Sequence, residues 1–287
     1  MLVNLNGVLT QARKSGYAIG AFNVYNMETI EVVFDAAVSL NMPVIIAFGE
    51  KYSDINSNSI YLIAKCVQEL ANKTPLPIVL HLDHCKSEDL IIRAIQAGFT
   101  SVMYDGSSMA NSDNIRITSK IVKIAHAADV TVEAELGYVP AEDIGEFVPE
   151  GQLTKPEEAE EFVEKTNCDA LAIAVGTIHG NYIGKPKIYH DRLKEIAKVI
   201  SVPLVLHGGS GNTQEDFVLA IDEGISKINI NTEISNAAVK QLKEIFKNDY
   251  SGHISVLSNR IKEPMLTVIK EKMRLFSRGK IGSVLKK

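Results

Sequence analysis

The chain has 287 residues, 46% of them hydrophobic and 23% charged, with a formal net charge of −5. That length and balance suit a globular α/β barrel held as one domain. The charge gives no general attraction for nucleic acid or an anionic membrane, and no apolar run approaches the roughly 20 residues that cross a bilayer, so neither partner is expected.

The opening Met1-Leu2-Val3-Asn4-Leu5 lacks the basic and apolar regions of a secretory signal, so a cytoplasmic location is the expectation. Cys66, Cys85 and Cys168 are odd in number, far apart and without a C-x-x-C pair, which fits reduced thiols. Cys85 adjoins His84, but a packed thiol is the simpler reading than a metal-bound thiolate.

Short β-branched runs alternate with longer helical patterns. In chain order the strand candidates are 18–24, 43–48, 77–83, 100–105, 130–135, 170–175, 203–207 and 226–230. Ile60, Ile63, Ala64, Val67, Leu70 and Ala71 form an apolar stripe at helical spacing. Leu90, Ile91, Ala94 and Ile95 repeat it before Gly98, a natural helix stop. Thr154-Lys155-Pro156-Glu157 reads as a capping box with proline in the first turn, and 213–220 is a helix closing at Gly224. Eight strands, each followed by a helix, predict an α/β fold of the closed (β/α)8 TIM-barrel type. The expected organisation is a single domain over 1–287, with a C-terminal helical extension from about residue 249 onward.

In such a barrel, function collects in the loops after the strand C-termini. Polar residues stand there repeatedly: Asn23, Asp83-His84, Asp105, Glu135, His179-Gly180, 207–211 and 229–232. Alternation along Val79-Leu80-His81-Leu82-Asp83-His84 puts His81 and Asp83 on one side. A carboxylate among apolar walls needs hydrogen bonds, a cation or a proton to exchange. The plainer alternative has Asp83 capping the helix that begins near Ser87. The barrel would bring His84, His179 and His207 together at its mouth, and three imidazoles leave a fourth position open, the pattern of a catalytic Zn²⁺ site. His81, one pleat lower, suits an orienting hydrogen bond. His126, His190 and His253 read as structural or surface residues.

Asp105 and Glu135 could orient ligands, accept a second cation or cap helices. Gly180 and 208–211 let backbone approach a ligand and Ser210 adds a donor, which points to phosphate at loops seven and eight. A tight turn needing positive φ is the plain alternative. Asn229 and Asn231 share an inward register, whereas Ile228 and Ile230 face the helices. The loop 138–149, with Glu142, Asp143 and Glu146, reads as a lid or as charged surface.

Taken together, Ala21-Phe22-Asn23, His81-Leu82-Asp83-His84, Val132-Glu133-Ala134-Glu135-Leu136-Gly137, His179-Gly180, Leu206-His207-Gly208-Gly209-Ser210-Gly211 and Lys227-Ile228-Asn229-Ile230-Asn231-Thr232 resemble the class II, metal-dependent ketose-bisphosphate aldolases. The resemblance covers nearly the whole barrel. It implies zinc-dependent, reversible cleavage of a ketose 1,6-bisphosphate, fructose 1,6-bisphosphate first, to dihydroxyacetone phosphate and glyceraldehyde 3-phosphate. It implies Zn²⁺ on His84, His179 and His207, an alternative metal position bound or oriented by Asp105 and Glu135, and Asp83 as the acid/base. The dihydroxyacetone phosphate half is expected on Gly180, Gly208, Gly209, Ser210, Asn229, Ile230, Asn231 and Thr232. Asn23 joins the substrate side, and a monovalent cation, Na⁺ or K⁺, lies near the phosphate. Cleavage beside a ketone leaves an ene-diolate, whose charge a Lewis acid stabilises. The group that protonates it comes from the mobile loop, where Glu142 is the candidate.

The pattern departs from many relatives at three places. Pro140-Ala141 stands where paired glycines are common, which bears on Glu142. Ala47-Phe48-Gly49 replaces a serine-bearing segment, and Ser258-Asn259-Arg260 stands for Asp-Pro-Arg, both at the aldehyde end. Asn231 leans toward fructose-type relatives. Tagatose bisphosphate and a deoxy-ketoaldonate phosphate remain rival substrates. A Schiff-base aldolase using Lys227 and a non-catalytic sugar-phosphate sensor are the rival classes. A homo-oligomer, dimer or tetramer, is expected.

Overall fold

The computed structural model describes residues 1–55, 59–139, 148–180, 187–247 and 251–280. Helix α1 (Asn6–Ser15) precedes the first strand. Eight parallel strands then close a barrel in sequence order: β1 (Ile19–Asn23), β2 (Val44–Gly49), β3 (Ile78–Cys85), β4 (Ser101–Tyr104), β5 (Thr131–Leu136), β6 (Ala170–Ile173), β7 (Leu204–Leu206) and β8 (Ile225–Ile230). Between and after them run α2 (Met27–Leu40), α3 (Ser59–Ala71), α4 (Glu88–Ala97), α5 (Asn111–His126), α6 (Pro156–Thr166), α7 (His190–Val199), α8 (Gln214–Asp222) and α9 (Thr232–Phe246). This is the (β/α)8 barrel the alternation predicts. Among the described residues no helix is long and apolar enough to cross a membrane.

The strands are covered on both faces, which is why they read as apolar runs. Phe22, Ile46, Leu80, Val132 and Ile228 are fully buried in the layer between strands and helices. Helix α1 has no counterpart in the expectations drawn from the sequence. Its Val8, Leu9 and Ala12, with Leu5, pack against Ile19, Ile45, Val79 and Met103 and fill the N-terminal floor of the barrel. Each fully buried leucine there contributes about 1.5–3 kcal/mol. With the floor plugged, the C-terminal mouth is the open end. The C-terminal helix α10 (Ile254–Ser277) packs on α2 and α9, and the Ala18 N–H donates to the Phe276 carbonyl at 3.0 Å.

On β3 the inward positions turn from apolar at the floor to polar at the mouth, Val79 then His81 and Asp83, whereas on β5 they are polar throughout, Thr131, Glu133 and Glu135. Small residues on neighbouring strands make the room. Ala47 and Gly49 sit in register with His81 and Asp83, Ala170 and Ala172 with Glu133 and Glu135, and Ala21 with Asn229.

Two local readings need correction. Thr154 does not cap α6: its hydroxyl donates to the Leu136 carbonyl at 2.6 Å and accepts from the Ala174 N–H at 2.9 Å, tying the ends of β5 and β6 together. Pro156 does begin the helix as expected. Ser87, not Asp83, caps α4, accepting from the Leu90 N–H.

Candidate metal centre and active site

β3 runs on to Cys85, past its expected end. Its register with β4 slips between Leu82 and Cys85, and His84 adopts φ +48. A left-handed residue that is not glycine costs about 1–2 kcal/mol. That bulge puts His84 on the pocket wall directly after Asp83, so consecutive residues both serve one site.

Asp83 is 3% exposed and takes an amide donor on each oxygen, Asn23 Nδ2 at 2.8 Å and Asn229 Nδ2 at 3.0 Å. Burial alone would raise its pKa. The neighbouring His84 and His207, with Lys227 and His81, overturn that and hold it well below the usual carboxylate range.

His84, His179 and His207 each bring a ring nitrogen to within 4.8 Å of the others, with ring centroids 4.3–5.9 Å apart. Among the described residues His179 Nε2 and His207 Nδ1 are buried with no hydrogen-bond partner. Buried polar atoms are nearly always satisfied, so two orphaned ring nitrogens in one cluster fit a cation. His84 Nδ1 lies 3.4 Å from both Asp105 Oδ2 and Glu135 Oε2, and these three form a second donor set that shares His84. Burial opposes charge on His84, but Asp83, Asp105 and Glu135 raise its pKa well above the ordinary value. His179, by contrast, is pulled down to about 3 by burial and by the other two histidines.

The residues expected at the site converge on one cavity of about 810 Å³. Its lining includes Asn23, Asp83, His84, Asp105, His179 and His207, together with Gly180, Gly208, Gly209, Ser210, Asn229, Asn231 and Thr232. Glu135 lies just behind this wall. Ile230 does not belong to the lining: its side chain is fully buried in the outer core, as the facing of β8 dictates. Glu142 lies outside the described residues. Gly208 is needed by the backbone itself, at φ +64 with a Cβ that would fall 2.3 Å from the Ile178 carbonyl oxygen. His126 and His190 stand away from the mouth, paired with Asp169 and Glu223.

Three groups were missed or misread. Glu133, fully buried, receives His207 Nε2 at 2.9 Å and Lys227 Nζ at 2.8 Å. Its inward parity, two residues before Glu135, was the available signal. Lys227 is thus held against Glu133 and does not line the cavity. Tyr52 accepts a hydrogen bond from Asn231 Nδ2 at 3.1 Å and holds that amide in place. Nothing in the spacing links Tyr52 to β8.

A parallel barrel with a histidine cluster and an oriented carboxylate at its mouth defines a barrel enzyme equipped for metal-assisted proton transfer. The family model for class II fructose-bisphosphate aldolase matches residues 3–280. A fructose-bisphosphate aldolase of Staphylococcus epidermidis is 40% identical over 251 residues, covering 86% of this chain and 87% of that one. The solved structure of the YdjI aldolase from Escherichia coli K12 has a TM-score of 0.86 at 36% identity, with 99% of each chain covered. A putative fructose-1,6-bisphosphate aldolase from Coccidioides immitis has a TM-score of 0.87 at 32% identity, with 98% of each covered. The chain belongs to the class II fructose-bisphosphate aldolase family, whose members are metal-dependent, and it is an aldolase of the carbon–carbon lyase class.

Proposed function

We propose that the protein catalyses reversible aldol cleavage of fructose 1,6-bisphosphate to dihydroxyacetone phosphate and glyceraldehyde 3-phosphate, with Zn²⁺ held by His84, His179 and His207. The observation that carries this reading is the pair of unpartnered ring nitrogens beside a carboxylate fixed by two amides. A bound divalent cation supplies Lewis-acid stabilisation of the negative charge left on the ketone half. Asp83 takes the proton from the hydroxyl at the cleaved bond and returns it in condensation. Asn23 and Asn229 keep its carboxylate aimed, and their donor-only contact favours the charged form. Asp105 and Glu135 orient His84 or provide the alternative metal position. Glu142 is the proposed proton donor to the ketone half.

Gly180, Gly208, Gly209, Ser210, Asn229, Asn231 and Thr232 hold the ketone-side phosphate, with a monovalent cation beside it and Ile230 contributing only backbone. Opposite them, Lys51, Lys86 and Arg93 line the β2–β3 side of the cavity, which supports a substrate anionic at both ends. The same reading makes the protein a cytoplasmic homo-oligomer with 1–287 as one catalytic domain. Lys227 is fully buried against Glu133 and does not line the cavity, which argues against Schiff-base chemistry, since the nucleophilic amine must reach the substrate carbonyl.

Cleavage of fructose 1,6-bisphosphate is measured by coupled triose phosphate detection before chelation, after it and with Zn²⁺ restored, beside tagatose 1,6-bisphosphate and fructose 1-phosphate. Loss on chelation and recovery with Zn²⁺, with the fructose bisphosphate preferred, is expected. Activity indifferent to chelator would overturn the metal assignment, and preference for tagatose bisphosphate the substrate.

A further inference from the structure

Below the three pocket histidines lies a charged layer that the proposed chemistry leaves unused. Glu133 on β5 and Lys227 on β8 are both fully buried, with Lys227 Nζ 2.8 Å from one Glu133 oxygen and 3.0 Å from the other. An ion pair at that depth adds little net stability over apolar side chains of similar volume, because both charges lose their hydration. Its place in the barrel has a more specific consequence.

Glu133 also meets His207 Nε2 at 2.9 Å. A carboxylate only accepts, so the shared hydrogen belongs to Nε2. A neutral imidazole carries one such hydrogen, and Nδ1 therefore keeps its lone pair. Nδ1 is the His207 atom that is buried without a partner among the described residues. Lys227 contacts both carboxylate oxygens and leaves Glu133 no freedom to turn from His207. His81, whose Nδ1 is 2.8 Å from Ser101 Oγ, closes the layer on the β3 side, with Nε2 3.7 Å from Glu133 Oε2.

We infer that the Lys227–Glu133 pair is a positioning device: it fixes His207 in the tautomer protonated on Nε2 and so presents Nδ1 to the metal. The inference rests on the metal-centre reading above. It gives Lys227 a role distinct from a Schiff-base nucleophile, and it makes both residues positioning residues that touch neither metal nor substrate.

The test combines Glu133→Gln with Lys227→Met, which removes both charges together and strands neither. A glutamine amide can accept from or donate to His207, so the hydrogen bond survives while its direction is no longer imposed. Zn²⁺ affinity is measured by competition with a chromophoric chelator. The tautomer is read from long-range ¹H–¹⁵N spectra of metal-free, histidine-labelled protein, with His207→Gln identifying the signal. The parent should carry its His207 hydrogen on Nε2, and the double variant should show mixed tautomers with Zn²⁺ bound about 10–100-fold more weakly. A parent hydrogen on Nδ1, or a double variant that binds Zn²⁺ as tightly as the parent, would overturn the inference. If the double variant does not fold, the parent spectrum decides. A parent that binds no Zn²⁺ overturns the metal-centre reading itself, whereas tight parent binding with an unaffected double variant defeats only the positioning role.

Discussion

Replacing Asp83 with asparagine preserves the side chain's shape and removes its charge, and the two amides around it set the cost. Each carboxylate oxygen accepts one amide hydrogen bond, from Asn23 at 2.8 Å and from Asn229 at 3.0 Å. Asparagine offers one acceptor and one donor, so one of the two amides must face another donor. Hydrogen bonds to a charged group contribute about 1.5–3 kcal/mol each and neutral ones about 1 kcal/mol. One is lost and the other weakened, partly offset by the desolvation a neutral side chain avoids, for a net loss of about 1–3 kcal/mol of stability. Without the proton acceptor, kcat should fall by about 10²–10⁴, or about 3–5 kcal/mol in barrier height. The three imidazoles are untouched, so the variant should still take up a full equivalent of Zn²⁺. Urea unfolding, metal content and cleavage rate under saturation report the three quantities separately. A fully metallated variant whose kcat lies within about tenfold of the parent refutes the assignment of proton transfer to Asp83.

Metal binding should depend on pH through His84, whose pKa is raised well above the ordinary histidine value by Asp83, Asp105 and Glu135 against the opposing effect of burial. Zn²⁺ competes with a proton on that ring, so affinity should rise with pH by up to about tenfold per unit and level off above the His84 pKa; a flat competition profile counts against it. Burial and then Lys227 pull His81 down to about 3, while an unfolded histidine protonates near 6.5. The unfolded chain therefore binds one more proton between those values, and His81 contributes a loss of about 1.4 kcal/mol per unit as pH falls through that window. His81→Gln should remove one proton from the pH slope of urea stability, and an unchanged slope would contradict this. Gly208→Ala forces a Cβ to within 2.3 Å of the Ile178 carbonyl oxygen at φ +64, whereas Gly151→Ala meets nothing within 4 Å. The first should cost more than about 1 kcal/mol and displace His207, and the second should be nearly neutral in thermal unfolding. Equal melting temperatures would show that the loop carrying Gly208 yields freely.

Period-two alternation and the rule that function gathers at strand C-termini made Asp83, His179, His207 and Asn229 legible, because both depend only on local spacing and strand order. The same logic stops at contacts across the barrel. Lys227 is visibly an inward-facing amine, and an isolated inward lysine suggests a nucleophile. Its partner Glu133 stands three strands away, and only ring closure sets the two side by side. Thr154 shows a smaller version of the limit: Thr-x-Pro-Glu satisfies a local capping pattern, yet the Leu136 carbonyl and the Ala174 N–H take the hydroxyl instead. Helix α1 escaped because alternation of strands and helices begins counting at β1, although Val8, Leu9 and Ala12 already carry helical spacing.

The barrel's choice of small residues follows from the same charged interior. Asp83, Glu133 and Lys227 are each within 4 Å of another charged or titratable group, so removing one leaves another short of a partner. Fitting these long side chains into a layer normally filled by branched aliphatics requires space from their neighbours, and Ala21, Ala47, Gly49, Ala170 and Ala172 provide it in register. An apolar enlargement such as Ala170→Val would therefore act on the metal centre without touching it, by pressing on Glu133 and through it on His207. Core volume and site chemistry are in this barrel one constraint, carried by residues whose types would otherwise read as ordinary packing.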